Sequence, residues 1–268
     1  MDNRTIGVFD SGVGGLTVLR EIIKEVPRES TIYLGDTERF PYGPKDLRQV
    51  KEYVFKAAEF LQKKDVKLIV IACNTGSVAA LEDLQCRVDI PVIGVIEPGA
   101  RTAVKNTRNK RIGVIATKGT VESGAYEKEI NKLDGDIKTF SAAAPVLIEY
   151  VERGILEGIQ LRDKIREYLE PLLAEDIDVL VLGCTHFPLI ENQILSVSGN
   201  NIRVISSAVE TAKDVGKLLS EKGLSAYKGN RADRIFYETA GNSNFFKTGQ
   251  IFLGAGIKEV KRVILDIQ

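Results

Sequence analysis

Two cysteines in this chain each close an apolar run and open a polar one: Leu68-Ile69-Val70-Ile71-Ala72-Cys73-Asn74-Thr75 and Val179-Leu180-Val181-Leu182-Gly183-Cys184-Thr185-His186. A thiol is an acid, and its thiolate is both a base and a nucleophile. Most free cysteines are small buried hydrophobes and nothing more. Here the neighbours Asn74, Thr75, Thr185 and His186 are polar groups that a dry core would not accept without partners, so Cys73 and Cys184 are candidates for chemistry. Cys86, on a helical stretch after Leu81 and Leu84, reads as structural. His186 is the single histidine of the chain. It lies two positions from Cys184, on a turn that Pro188 keeps from being a helix interior. It could tune the thiol, donate to a carboxylate, or join Cys73 and Cys184 around zinc, although the usual paired C-x-x-C or H-x-x-x-H spacings are missing.

A second candidate is Asp10-Ser11-Gly12-Val13-Gly14-Gly15 after the run Thr5 to Phe9. Its glycines let a backbone approach a ligand, but the spacing matches neither phosphate-binding loop signature, and Asp10 would repel a phosphate. A carboxylate there suits an ammonium group. A plain helix cap by Asp10 or Ser11 is the simpler reading and is compatible with ligand contact. Pro41-Tyr42-Gly43-Pro44 is a turn in which Tyr42 could close over a small ligand, or could be only a surface turn.

Such residues need strand ends to hold them. Short β-branched runs recur at Thr5–Phe9, Thr31–Leu34, Lys67–Ala72, Val92–Ile96, Arg111–Ala116, Ile137–Phe140, Asp178–Gly183 and Arg203–Ile205. Between them come stretches of helical period, such as Leu16, Leu19, Ile23 and Val26 before Pro27, and Leu47, Val50, Val54, Ala58 and Leu61. This alternation predicts βαβ units and parallel sheets covered on both faces. In open parallel sheets ligands bind beyond the carboxyl ends of the strands, where Cys73 and Cys184 fall. The chain also repeats itself. The segment from Ile6 to Gly15 has a counterpart from Ile112 to Val121, as the Cys73 segment has in the Cys184 segment, which predicts two related α/β halves.

Composition narrows the function classes. The 268 residues carry 37 basic and 37 acidic side chains, so no general field draws the chain to nucleic acid or anionic membrane. The start Met1-Asp2-Asn3-Arg4-Thr5 has no apolar signal core, and runs such as Leu68 to Cys73 are too short to span a bilayer. Three cysteines do not make a secreted disulfide framework. A soluble intracellular protein with free thiols is expected.

Taken together and in order, Asp10-Ser11-Gly12 with Gly14-Gly15-Leu16, Pro41-Tyr42-Gly43, Ala72-Cys73-Asn74-Thr75, Ala116-Thr117 with Gly119-Thr120, Val151-Glu152 with Gly154, and Gly183-Cys184-Thr185-His186 with Pro188 resemble glutamate racemase, of the Asp/Glu racemase superfamily. The resemblance implies two flavodoxin-like parallel-sheet domains related by a pseudo-two-fold axis, with the active site in the cleft between them. Residues 1–97 and 208–268 would form the first domain and 98–207 the second. It implies a cytoplasmic, cofactor-independent and metal-free isomerase that interconverts L- and D-glutamate and supplies D-glutamate for peptidoglycan, hence for cell-wall biogenesis and cell shape. Its partner would be the small-molecule substrate, with no nucleic acid or membrane, and a homodimer is one option. By motif match Cys73 and Cys184 are the acid/base pair, assisted by Asp10 on the Cys73 side and by Glu152 and His186 on the other. Asp10, Ser11, Pro41, Tyr42, Gly43, Asn74, Thr75, Thr185 and His186 would contact substrate, and Thr117 and Thr120 are similar to further contact positions. Gly76, Phe187 and Ala144 depart from the pattern, which expects Ala, Tyr and commonly Cys there; none removes a catalytic group.

The chemistry suits the residues. Racemisation takes a proton from one face of a carbon and returns one to the other, so each face needs a group that can be acid or base. A free thiol is largely protonated at neutral pH, and helix N-termini beyond both cysteines are expected to lower their pKa. Racemases for aspartate or a related acid, a non-catalytic amino-acid-binding module, and a metal hydrolase remain as alternatives.

Overall fold

The computed structural model describes residues 1–241, 245–254 and 256–266. The expected first-domain segment 208–268 therefore includes residues 242–244, 255, 267 and 268, which lie outside the described residues. Runs that are apolar at every position need cover on both faces, and β1 (Ile6–Asp10), β2 (Thr31–Gly35) and β3 (Leu68–Ile71) are buried throughout. They join β4 (Val92–Ile93) in a parallel sheet with β1 beside both β2 and β3. A second parallel sheet contains β5 (Arg111–Ala116), β6 (Lys138–Ala143), β7 (Val179–Gly183) and β8 (Arg203–Ser206). The chain then returns to the first sheet, whose full order is β10-β9-β2-β1-β3-β4, with β9 (Arg234–Glu238) and β10 (Lys261–Arg262).

The second sheet runs β6-β5-β7-β8, the same order as β2-β1-β3-β4. Register agrees as well: Ile6 pairs with Leu68 in one sheet and Ile112 with Val179 in the other, the same residues that begin the sequence repeats. Two related halves are thus present as the repeat predicts.

Helices connect the strands. α1 (Leu16–Glu25) buries Leu16, Leu19 and Ile22, and its pattern ends ahead of Pro27. α2 (Leu47–Lys63) starts where the Asp46 carboxylate accepts the Arg48 N–H at 2.7 Å. α3 (Asn74–Arg87), α4 (Ile96–Asn106), the short α5 (Lys118–Glu122) and α6 (Ala125–Leu133) follow. Then come α7 (Pro145–Glu152), α8 (Ile159–Leu173), α9 (Glu191–Ser198), α10 (Ser207–Glu221) and α11 (Phe245–Leu253). α10 packs across α1 and α4, and one apolar cluster runs without a break from Val8 and Leu16 to Leu147, Leu180 and Phe187.

Two readings of the strands are corrected. The run Val92–Ile96 is a strand only at Val92 and Ile93; Ile96 begins α4, where Pro98 is tolerated because first-turn N–H groups have no helical partner. β9 and β10 are not among the runs the sequence marks, since β10 is two exposed residues and β9 begins with Arg234, ends with Glu238 and is only partly buried.

The amino ends of the first sheet are tied by a buried ion pair. Lys67 Nζ donates to Glu29 Oε2 at 2.5 Å and to the carbonyls of Asp2 and Leu224 at 2.6 and 2.7 Å, while Glu29 Oε1 accepts the Ala226 N–H at 2.6 Å. Removing one partner strands a buried charge. Lys67→Met is therefore expected to lower the unfolding free energy by about 3–5 kcal/mol in urea titration; a loss below about 1 kcal/mol would show that water already reaches the pair.

Candidate active site

The carboxyl ends of β1 and β3 lie side by side, and their first residues beyond the sheet carry polar groups. Asp10 ends β1. Its Oδ2 accepts N–H groups of Gly12 at 3.3 Å and Gly15 at 2.9 Å, which folds the glycine turn around the carboxylate. The side chain does not cap α1, whose N-cap residue is Gly15 with no side-chain bond. Asp10 Oδ1 is buried and has no hydrogen-bond partner. Cys73 is the N-cap of α3. Its Sγ accepts the Gly76 N–H at 3.4 Å and lies 3.9 Å from Ser11 Oγ. Asn74 accepts at Oδ1 from Tyr126, at 2.8 Å, and its buried Nδ2 has no partner.

The second half supplies the matching ends of β5 and β7. Thr117 caps α5 and meets Thr75 across the halves, Oγ1 to Oγ1, at 2.9 Å. Cys184 follows β7 directly. His186 Nδ1 lies 3.6 Å from Cys184 Sγ, and Nε2 lies 2.6 Å from Glu152 Oε1 at the end of α7. Carboxylate, imidazole and thiol therefore form a line. The imidazole is 3% exposed and is flanked by the rings of Phe40 and Phe252 at 5.9 and 5.7 Å. The halves touch beside it: the Thr17 hydroxyl lies 2.9 Å from the Thr185 carbonyl, and a Cβ on Gly14 would overlap Thr185 Oγ1 and the His186 ring. Glycine is needed there for the close approach.

A cavity of about 560 Å³ lies between the two sets of strand ends, and both thiols border it. It brings together Asp10, Ser11, Pro41, Tyr42, Gly43, Asn74, Thr75, Thr117, Glu152, Thr185 and His186. Thr120 is the exception. It sits one layer behind, 2.9 Å from Thr117 Oγ1 and 3.4 Å from Thr75 Oγ1, and does not line the cavity. Tyr42 is not a lid: it is buried, with its hydroxyl donating to Asp36 Oδ2 at 2.6 Å, and forms fixed wall. Phe40, Lys118, Ile148, Glu149 and Arg153 also border the cavity and were not read from the sequence. Glu149 lies three residues before Glu152 on α7, a spacing that offers a sequence signal, whereas Arg153 is the C-cap of that helix and offers none. Among the described residues no three His, Cys, Asp or Glu side chains gather in a metal-holding arrangement.

The two thiols sit in opposite electrostatic settings. Burial pushes Cys73 well above the ordinary thiol range and the Asp10 carboxylate adds to it, outweighing the Gly76 N–H and the Ser11 hydroxyl. The helix N-terminus expected to lower this pKa therefore loses to desolvation. Beyond Cys184 no long helix starts; a single 3₁₀ turn, Phe187–Ile190, comes first. Cys184 instead faces a cation. Burial alone would lower His186, but the Cys184 thiol and the Glu152 carboxylate reverse this and raise it to about 10.

The sequence model of a family described as Asp/Glu/Hydantoin racemase matches residues 6–215. A glutamate racemase of Corynebacterium diphtheriae is 46% identical, the match covering 98% of each chain. Among solved structures, a glutamate racemase isoform from Bacillus anthracis superposes with a TM-score of 0.93 at 42% identity, covering 100% of this chain and 99% of that one. A glutamate racemase from Francisella tularensis in complex with D-glutamate gives a TM-score of 0.93 at 34% identity, covering 99% of both.

Because the chain has one histidine, NMR can follow its titration without ambiguity. The ring is expected to stay protonated through about pH 8, past the ordinary midpoint near 6.5; an ordinary midpoint would contradict the Glu152 and Cys184 contacts. A raised pKa also fixes the sign of the stability effect. The stabilisation from His186 is complete below its ordinary 6.5 and is lost as pH climbs through about 10.

Proposed function

The chain belongs to the Asp/Glu/Hydantoin racemase family as an amino-acid racemase, and on that premise we propose that it interconverts L- and D-glutamate by proton transfer between Cys73 and Cys184. The observation that carries this reading is the placement of both thiols on one cavity, each at the same strand end of a related half. Supporting it, the relatives at 40% identity and above bear the name glutamate racemase, and one similar structure holds D-glutamate.

The scheme follows from the charges. The substrate ammonium sits at the unpaired Asp10 Oδ1, and the α-carboxylate faces the unpaired Asn74 Nδ2. One carboxylate thereby meets a cation and one amide meets an anion, each in a site where water is scarce. As the α-proton leaves, charge moves onto the substrate carboxylate, where the Asn74 amide and the hydroxyls of Thr75 and Thr185 stabilise it. In this scheme Cys184, 3.6 Å from the His186 imidazole, acts first as the base, and Cys73, whose pKa burial and the Asp10 carboxylate raise, acts first as the acid. One face of the carbon thus meets a base and the other an acid, as a single turnover demands. Turnover leaves the roles exchanged. The substrate ammonium offsets the Asp10 charge that holds Cys73 protonated, so binding prepares Cys73 for its turn as base.

On this reading the lobes are residues 1–97 with 208–268, and 98–207, and Ser11, Pro41, Tyr42, Gly43 and Thr117 shape the substrate site. No step draws on a cofactor. The D-glutamate feeds peptidoglycan synthesis in the cytoplasm; among the described residues no helix is long and apolar enough to cross a membrane.

Replacing either cysteine removes one face of the reaction. Cys73→Ala and Cys184→Ala are each expected to cut racemisation of both enantiomers by roughly 10²-fold or more, measured by optical rotation with glutamate and, for comparison, aspartate. Near-wild-type turnover in either variant would rule out the two-thiol scheme. In deuterated water the wild-type enzyme should erase the α-proton NMR signal of L-glutamate; tight calorimetric binding without that exchange would point to a binding module.

A further inference from the structure

An amide can do the work assigned to Asn74 only if its NH₂ end, not its oxygen, faces the cavity. Nothing in the Asn74 side chain itself decides this, because the two ends are nearly the same shape. The decision comes from the other half of the molecule. Tyr126 on α6 donates its hydroxyl to Asn74 Oδ1 at 2.8 Å, which leaves Nδ2 buried and unpartnered beside the cavity. Burial raises the pKa of this phenol, and Ser207 at the start of α10 acts on it in the opposite direction. The phenol has one proton to give, and it goes to the amide oxygen.

The ring is equally constrained. Tyr126 is 2% exposed and is wedged between two glycines. A Cβ on Gly183 would come within 3.0 Å of its Cε2, and one on Gly99 within 3.3 Å of its hydroxyl and 3.1 Å of Ser207 Cβ. Gly183 is the last residue of β7, directly before Cys184. Tyr126 thus lies against the strand end that carries one thiol and holds the amide next to the other.

We propose that Tyr126 is a positioning residue for this site: held between Gly99 and Gly183, its hydroxyl locks the Asn74 amide with NH₂ turned toward the substrate carboxylate, and it does so from the opposite half of the chain. The inference deepens the racemase reading and rests on it for the identity of the ligand. It also ties activity to the alignment of the halves, since donor and acceptor sit on different ones. Moving the halves apart breaks this bond and frees the amide to turn.

The test compares wild type with Tyr126→Phe, Ser207→Ala, Asn74→Ala and the double variant Tyr126→Phe/Asn74→Ala. Tyr126→Phe keeps the packed ring and is expected to lower kcat/KM by about tenfold for both enantiomers, with Ser207→Ala giving a smaller loss in the same direction. In the double variant Tyr126→Phe should add nothing to the loss from Asn74→Ala, because there is no amide left to orient. Side-chain amide NMR gives a readout that does not need turnover: the Asn74 NH₂ signals, identified by their loss in Asn74→Ala, should shift and exchange faster with water in Tyr126→Phe. Unmoved amide signals, a kcat/KM within about twofold of wild type, or additive losses in the double variant would each overturn the proposal. If the wild-type enzyme leaves the glutamate α-proton unexchanged, the racemase reading fails while the amide signals still report whether Tyr126 orients Asn74. Should Tyr126→Phe not fold, Ser207→Ala carries the same comparison.

Discussion

A parallel strand must hand over to a helix, and at the handover the backbone turns free N–H groups and two or three side chains toward whatever lies beyond the sheet. Everything at this site depends on having that handover four times over, at the ends of β1, β3, β5 and β7, with the two pairs facing each other. Each half alone offers one thiol and one polar turn. Only the facing pair encloses a cavity bordered by both thiols. The unbroken apolar cluster from Val8 to Leu180 and Phe187 holds the halves together, and the Thr17 hydroxyl meets the carbonyl of Thr185, a residue that lines the cavity.

Related halves have not produced identical chemistry. Cys73 is paired with a carboxylate that keeps it protonated, and Cys184 with an imidazolium backed by Glu152. Symmetry of the backbone places the two sulfurs, and asymmetry of the sequence gives them different neighbours. The aromatic rings of Phe40 and Phe252 belong to this difference, since they dry the surroundings of His186 and strengthen its two polar contacts.

Of the four buried side-chain polar atoms without partners among the described residues, two, Asp10 Oδ1 and Asn74 Nδ2, belong to residues that line this cavity. Each costs folding free energy of about 1–3 kcal/mol. A stable core would eliminate them. One is an acceptor with charge and the other a donor, the two kinds of group that an ammonium and a carboxylate pair with. The surrounding structure holds both atoms still: Asp10 through the Gly12 and Gly15 N–H groups, and Asn74 through Tyr126.

Local pattern was enough for the doubled βαβ order, the strand-end cysteines, and the lone histidine two residues from one of them, because strand burial and chain reversal are read from neighbours in sequence. The family resemblance added Glu152, which spacing alone did not single out. Three-dimensional packing decided the rest. Thr120 lies behind Thr117, Tyr42 is wall held by Asp36, and Arg153 and Glu149 reach the cavity because α7 presents one side to it. Whether desolvation or a helix end controls Cys73 is a contest between magnitudes that burial settles, and burial is a property of the assembled halves. A sequence states which groups can hydrogen-bond; distances between residues as remote as Asn74 and Tyr126 exist only once the chain has closed on itself, and those distances give each group its partner.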